Sequence, residues 1–116
     1  PLRAIKPGIS ESAMIEKNSR ISDISYIGPL ASIGSGVKIN ENVYIGPGCV
    51  IDGDIEIAKD SRLHANVTVI NSVKIGERSQ IHPGVVIGVR SYPEPTFVEH
   101  VFYLPFVEMC ITIYYE

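Results

Sequence analysis

Aliphatic residues recur along this chain with a period of six. Every sixth position from Ile9 reads Ile9, Ile15, Ile21, Ile27, Ile33, Ile39, Ile45, Ile51, Ile57, Leu63, Val69, Ile75, Ile81 and Ile87. All fourteen are Ile, Leu or Val, out of 25 such residues between Ile9 and Gly88. An even spread over six registers would put about four in each. No insertion or deletion interrupts the series.

A second column accompanies the first. Two residues before each slot stands a small or β-branched residue: Ala13, Ser19, Ser25, Ala31, Val37, Val43, Cys49, Ile55, Ser61, Val67, Val73, Ser79 and Val85. Positions two apart in an extended strand face the same side, so both columns point inward. Three residues after the slots, turn formers dominate: Asn18, Gly36, Asn42, Gly48, Asp54, Asp60, Asn66 and Gly84. These residue types tolerate left-handed backbone angles. Each hexad therefore reads as a short strand followed by a bend. A helix of 3.6 residues per turn cannot use this period. Hexapeptide periodicity is a signature of the parallel β-helix.

With one hexad on each of three sides, every fourth hexad lies above the first. Fourteen hexads then build about five coils, roughly 22 Å tall at the ~4.8 Å strand spacing. The period predicts three vertical stacks. One joins Ile9, Ile27, Ile45, Leu63 and Ile81; the next joins Ile15, Ile33, Ile51, Val69 and Ile87; the last joins Ile21, Ile39, Ile57 and Ile75. At the corner after the first stack the outward residues are Gly28-Pro29, Gly46-Pro47, His64-Ala65 and His82-Pro83. Three prolines in one column suit a bend, because proline cannot donate to a strand ladder.

Composition narrows the function. The chain has 116 residues, is 45% hydrophobic and carries a net charge of −3, which suits one globular domain. No apolar run is long enough to suggest a membrane span, and no signal peptide is visible. The acidic balance gives no electrostatic case for nucleic acid. Two cysteines, Cys49 and Cys110, cannot build a disulfide scaffold, which points to a reducing compartment. Pro1 in first place predicts a fragment or excised piece.

The pairs Ile27-Gly28, Ile33-Gly34, Ile45-Gly46, Ile75-Gly76 and Ile87-Gly88 resemble the hexapeptide-repeat acyltransferases, whose coils are left-handed. That hand is implied by the resemblance alone, since parallel crossovers are otherwise nearly always right-handed. The expected fold is all-β, a left-handed parallel β-helix over 9–88 with a short lead-in (1–8) and a non-repeat C-terminal tail (89–116). The run Ser61-Arg62-Leu63-His64-Ala65-Asn66-Val67-Thr68-Val69 is more specific. With Val73 to Arg78 and Ile81 to Gly88, it resembles the UDP-3-O-(3-hydroxyacyl)glucosamine N-acyltransferases of lipid A synthesis. The resemblance covers about residues 7–88. It implies a cytoplasmic bacterial homotrimer that moves a 3-hydroxyacyl chain from acyl carrier protein to a UDP-amino sugar, without a cofactor.

Two departures qualify what carries over. Nothing here corresponds to that family's N-terminal uridine-binding domain. Its catalytic His lies further along, in an Ile-Ala-His-Asn-Val-like hexad that this chain lacks. Leu63-His64-Ala65-Asn66-Val67 differs because its His stands one place earlier in the repeat. No catalytic residue is therefore expected in this chain.

The tail leaves the register, since the next slots are Pro93 and Glu99. It carries seven of the nine aromatics and a net charge of −3, while residues 1–88 balance nine acids against nine bases. Met109 to Tyr115 reads as a strand. The tail is either a cap over the last coil or a frame-shifted end.

His64 and His82, three hexads apart, are the weak candidates for base chemistry, because His titrates near neutral pH. The commoner reading of such residues is a surface-turn histidine or one at a trimer interface. His100 continues the spacing beyond the broken register, so that spacing is coincidental. No His-x4-His pair occurs, so no zinc site is expected. Cys49 reads as a buried small hydrophobe. Arg62 and Arg78 read as surface charges able to meet an acidic carrier protein. An acyltransferase, or a piece of one, and a non-catalytic self-assembling scaffold both remain open.

Overall fold

The computed structural model of the chain describes residues 5–88 and, within the tail, the backbone of strands Val98–Tyr103 and Cys110–Tyr115. Residues 5–88 form strands and turns only, with all pairing between coils parallel. The fold is a parallel β-helix of the hexapeptide type, consistent with the left-handed coil. The three predicted stacks are all present. Ile9, Ile27, Ile45, Leu63 and Ile81 are paired rung on rung. So are Ile15, Ile33, Ile51, Val69 and Ile87, and Ile21, Ile39, Ile57 and Ile75. The first two faces have five rungs and the third has four.

Both inward columns form one core. The slot residues from Ile27 to Ile81 are at most 2% exposed. Full burial of such a side chain contributes about 1.5–3 kcal/mol. Three serines of the second column, Ser25, Ser61 and Ser79, are buried without polar cost. Ser25 Oγ donates to Ser22 O, Ser61 Oγ to Gly76 O and Ser79 Oγ to Gly76 O. No buried side-chain polar atom among the described residues lacks a partner. Each coil is tied to the next by backbone bonds such as Tyr26 N–H to Val43 O and Tyr44 N–H to Ser61 O.

From Leu30 onward, eight of the expected bends have positive φ three residues after the slot: Leu30, Gly36, Asn42, Gly48, Asp60, Asn66, Arg78 and Gly84. Two in this stretch do not. After Ile51 and Val69 the positive φ falls one residue earlier, at Gly53 and Asn71, rather than at Asp54 and Ser72. There, strands Val50–Ile57 and Thr68–Ile75 run eight residues across two faces. They pair along their whole length, Gly53 against Asn71. The two displaced bends thus lie directly one above the other, and the shift keeps both strands in register. Gly53 sits at φ +125°, and a Cβ there would strike the Asn71 carbonyl oxygen.

The outward residues give each face its own character. The first face carries Gly8, Tyr26, Tyr44, Arg62 and Gln80. The second carries Met14, Ser32, Val50, Thr68 and Val86. The third carries Arg20, Lys38, Glu56 and Lys74, with Glu56 3.8 Å from each lysine. In the tail, the two strands pair antiparallel, and Tyr114 opposes Lys74 at the end of the third face. The strand expected over 109–115 is present as Cys110–Tyr115; residues 89–97 and 104–109 lie outside the described residues.

Two positions check the inward assignment and the displaced bend. Ile57→Asp places an unpaired carboxylate in the core and should cost about 4 kcal/mol or more, while Ile57→Val should cost about 0.5–1.5 kcal/mol. Gly53→Ala should lower the melting temperature through strain and clash, although it removes no contact. Thermal and denaturant unfolding decide all three. Wild-type melting in Ile57→Asp would contradict the stack.

Candidate functional site

The corner after the first stack brings the sequence candidates together. His64 and His82 follow inward Leu63 and Ile81, whose pairing fixes the vertical spacing. Their rings stack with centroids 6.2 Å apart and an interplanar angle of 15°. His64 is half-buried and His82 is exposed. Below them on the adjoining face, Tyr26 and Tyr44 stack at 5.0 Å and 11°. Arg62 and Gln80 complete this outward column, one residue before the inward slot and two before each histidine.

Arg62 corrects the reading of a surface charge. It is only 9% exposed. Its Nη1 donates to the carbonyls of Asn42, at 2.7 Å, and Ser61, at 3.4 Å. Burial pulls its pKa down, against the opposing pull of Asp60. The guanidinium therefore braces the wall by bonding a carbonyl of the coil beneath. Arg78, by contrast, is an exposed turn residue at φ +54°.

His64 is held below the ordinary histidine pKa. Burial is the main cause; positive charge on His82 and Arg62 adds to it, and a hydrogen bond with Gln80 opposes it. At neutral pH the ring is therefore mainly uncharged, the form that can accept a proton. Gln80, paired with Arg62 on the next rung, carries no sequence signal for this contact. Cys49 lies in the core as its column requires, with Sγ donating to His64 O at 3.0 Å. Burial pushes its thiol pKa up, the opposite of an activated nucleophile. His100 and Cys110 lie in tail strands described by backbone alone. Among the described residues, no group of three or more His, Cys, Asp or Glu converges. No helix there is long and apolar enough to cross a membrane.

The lowered His64 pKa has a consequence for stability. Between its folded value and the unfolded value near 6.5, the unfolded chain binds more protons. Stability is therefore retained above about pH 6.5 and lost as the pH falls through that window. The melting temperature should drop between pH 7.5 and 5.5. His64→Gln should flatten that drop. An equal drop in the variant would place its cause elsewhere.

No curated protein sequence matches the chain. Residues 18–53 and residues 54–88 each match the bacterial transferase hexapeptide (six repeats) family. Each match spans about two turns, and the join falls in the uninterrupted strand Val50–Ile57. Together they cover well over half of the sequence, and the chain belongs to the bacterial transferase hexapeptide family.

Proposed function

We propose that the chain is a β-helical element of an N-acyltransferase of lipid A synthesis. Its enzyme would transfer a 3-hydroxyacyl chain from acyl carrier protein to the amine of a UDP-glucosamine derivative, as a homotrimer in the bacterial cytoplasm. The observation that carries this reading is the run from Ser61 to Gly88, which resembles those enzymes and keeps the hexad register throughout. Membership of a transferase family supports the reaction class. Hexapeptide-repeat proteins commonly trimerise, which supports the assembly.

The reaction needs a base. As the amine attacks the thioester, its nitrogen must lose a proton, and a positioned base typically contributes about 10²–10⁴-fold. In the enzymes resembled, that base belongs to a hexad this chain does not contain. His64 is mainly neutral, yet its ring is engaged by Gln80 and stacked on His82. That engagement favours the second reading for the chain taken by itself, a scaffold that presents its faces to further copies.

Two experiments separate the readings. Residues 61–88, exchanged for the corresponding coils of a lipid A N-acyltransferase, should leave its kcat/KM within about tenfold. A folded but inactive chimaera would defeat the acyltransferase reading. The 116-residue chain with 3-hydroxyacyl carrier protein and the UDP-amino sugar should show no turnover above an enzyme-free control. Turnover lost in His64→Ala or His82→Ala would instead make that histidine the base.

A further inference from the structure

We propose that the C-terminal strand Cys110–Tyr115 is an edge guard: it pairs with the backbone groups that the last coil leaves open at Lys74, and so closes the third face to strands of other chains. Two observations carry this independently, one from the hydrogen-bond alternation of the coils and one from the repeat itself. The inference goes beyond the acyl-transfer reading and draws nothing from it.

The third face has one rung fewer than its neighbours. Thr68 and Val69 are covered by Val86 and Ile87. At the far end of the same strand, Lys74 and Ile75 pair downward with Glu56 and Ile57 and have no parallel rung above them among the described residues. The carbonyl of Ile75 faces down, accepting from Ala58 N–H of the coil below at 2.9 Å. Backbone groups point to alternate sides along a strand, so Lys74 aims its own N–H and C=O upward. Backbone groups aimed from an open strand edge are a template for any other strand.

The repeat cannot supply the missing rung. Three hexads beyond Lys74 and Ile75 stand Tyr92 and Pro93. In earlier rungs the slot carbonyl faces down, as Ile45 O does toward Gly28 N–H at 2.8 Å, and the slot N–H faces down with it. A fifth rung would put Pro93 in that slot, and proline has no N–H to give to the carbonyl of Lys74.

Strand Cys110–Tyr115 stands at this edge instead, with Tyr114 the antiparallel partner of Lys74. Because Lys74 aims upward, this is the hydrogen-bonded kind of antiparallel pair, in which both residues exchange an N–H and a C=O. Tyr114 thus offers the N–H that Pro93 lacks. The strand is covered in turn by Val98–Tyr103 over six paired residues. The open edge therefore moves from the coil to a short outer strand that carries Glu99 and His100. The tail as a whole has four glutamates and one arginine. Charge on a short edge strand opposes further pairing.

The test uses the full chain. The Lys74 amide should exchange with solvent at least about a hundredfold more slowly than an unstructured amide. Tyr114→Pro removes the N–H aimed at Lys74. It should speed that exchange at least about tenfold, while the Tyr44 amide, bonded to Ser61 O inside the stack, keeps its protection. Tyr114→Phe, which keeps the N–H, should behave as wild type. Sedimentation from about 5 to 200 µM should show assemblies larger than a trimer in Tyr114→Pro and not in Tyr114→Phe. An unprotected Lys74 amide in the wild type would overturn the pairing. A proline variant that assembles no more than the phenylalanine variant would overturn the guard. Should the proline variant fail to fold, oxidation of Lys74→Cys with Tyr114→Cys, in a Cys110→Ser background, decides the pairing. These positions are Cα partners, so an intrachain disulfide is expected. No disulfide, or one formed only between chains, overturns the proposal.

Discussion

Every coil of this molecule is completed by the coils above and below it through one shared register of three hexads. The inward aliphatic of one rung lies on the inward aliphatic of the next, and the backbone amide beside it bonds a carbonyl one turn away. A two-residue strand such as Tyr26–Ile27 has no independent stability. It persists because the stack and the ladder reinforce each other at the same spacing. One inserted residue would turn every following side chain to the wrong side of its strand. The uninterrupted series of fourteen slots is thus the condition for the fold.

That constraint divides labour among the side chains. The two inward columns must be aliphatic or small, and the bends must accept left-handed angles. The outward columns are released from both demands. Each face can therefore carry its own set of side chains, and the three faces here differ. A tyrosine stack leads to Arg62 on the first, a neutral stripe covers the second, and a lysine–glutamate ladder covers the third. The histidine pair arises from the same rule, since two like residues three hexads apart must become vertical neighbours. Their mutual repulsion on protonation follows from the period as directly as the core does.

The period made the stacks, the inward columns and the neighbouring positions of His64 and His82 legible from the residues alone. What escaped depends on contacts between adjacent coils whose outcome no spacing states. Arg62 occupies an outward position and reads as surface charge, yet its guanidinium folds down to Asn42 O, a carbonyl of the preceding coil. Gln80 reads as an ordinary polar residue, although it holds His64. The displaced bends at Gly53 and Asn71 escaped because the repeat places the bends at 54 and 72, with Asp54 a turn former at the expected place, and the one-residue shift shared by the two stacked strands leaves no mark in the spacing. Leu30 escaped for the opposite reason. A leucine carries no turn signal, and its bend is imposed by the coils on either side.

A solenoid extends by adding rungs, so its ends and its faces pose different problems. An uncovered end exposes strand edge and core, as the 53% exposure of Ile9 shows at the first coil. An end can be met by more coils, a cap or another molecule, and each solution continues the ladder in some form. A face has no unpaired backbone, so whatever covers it must be attracted by side chains alone. Affinity there is set by a few positions rather than by the register. In the stack every rung shares the load with its neighbours. On the face, a single exposed residue can decide whether a partner binds.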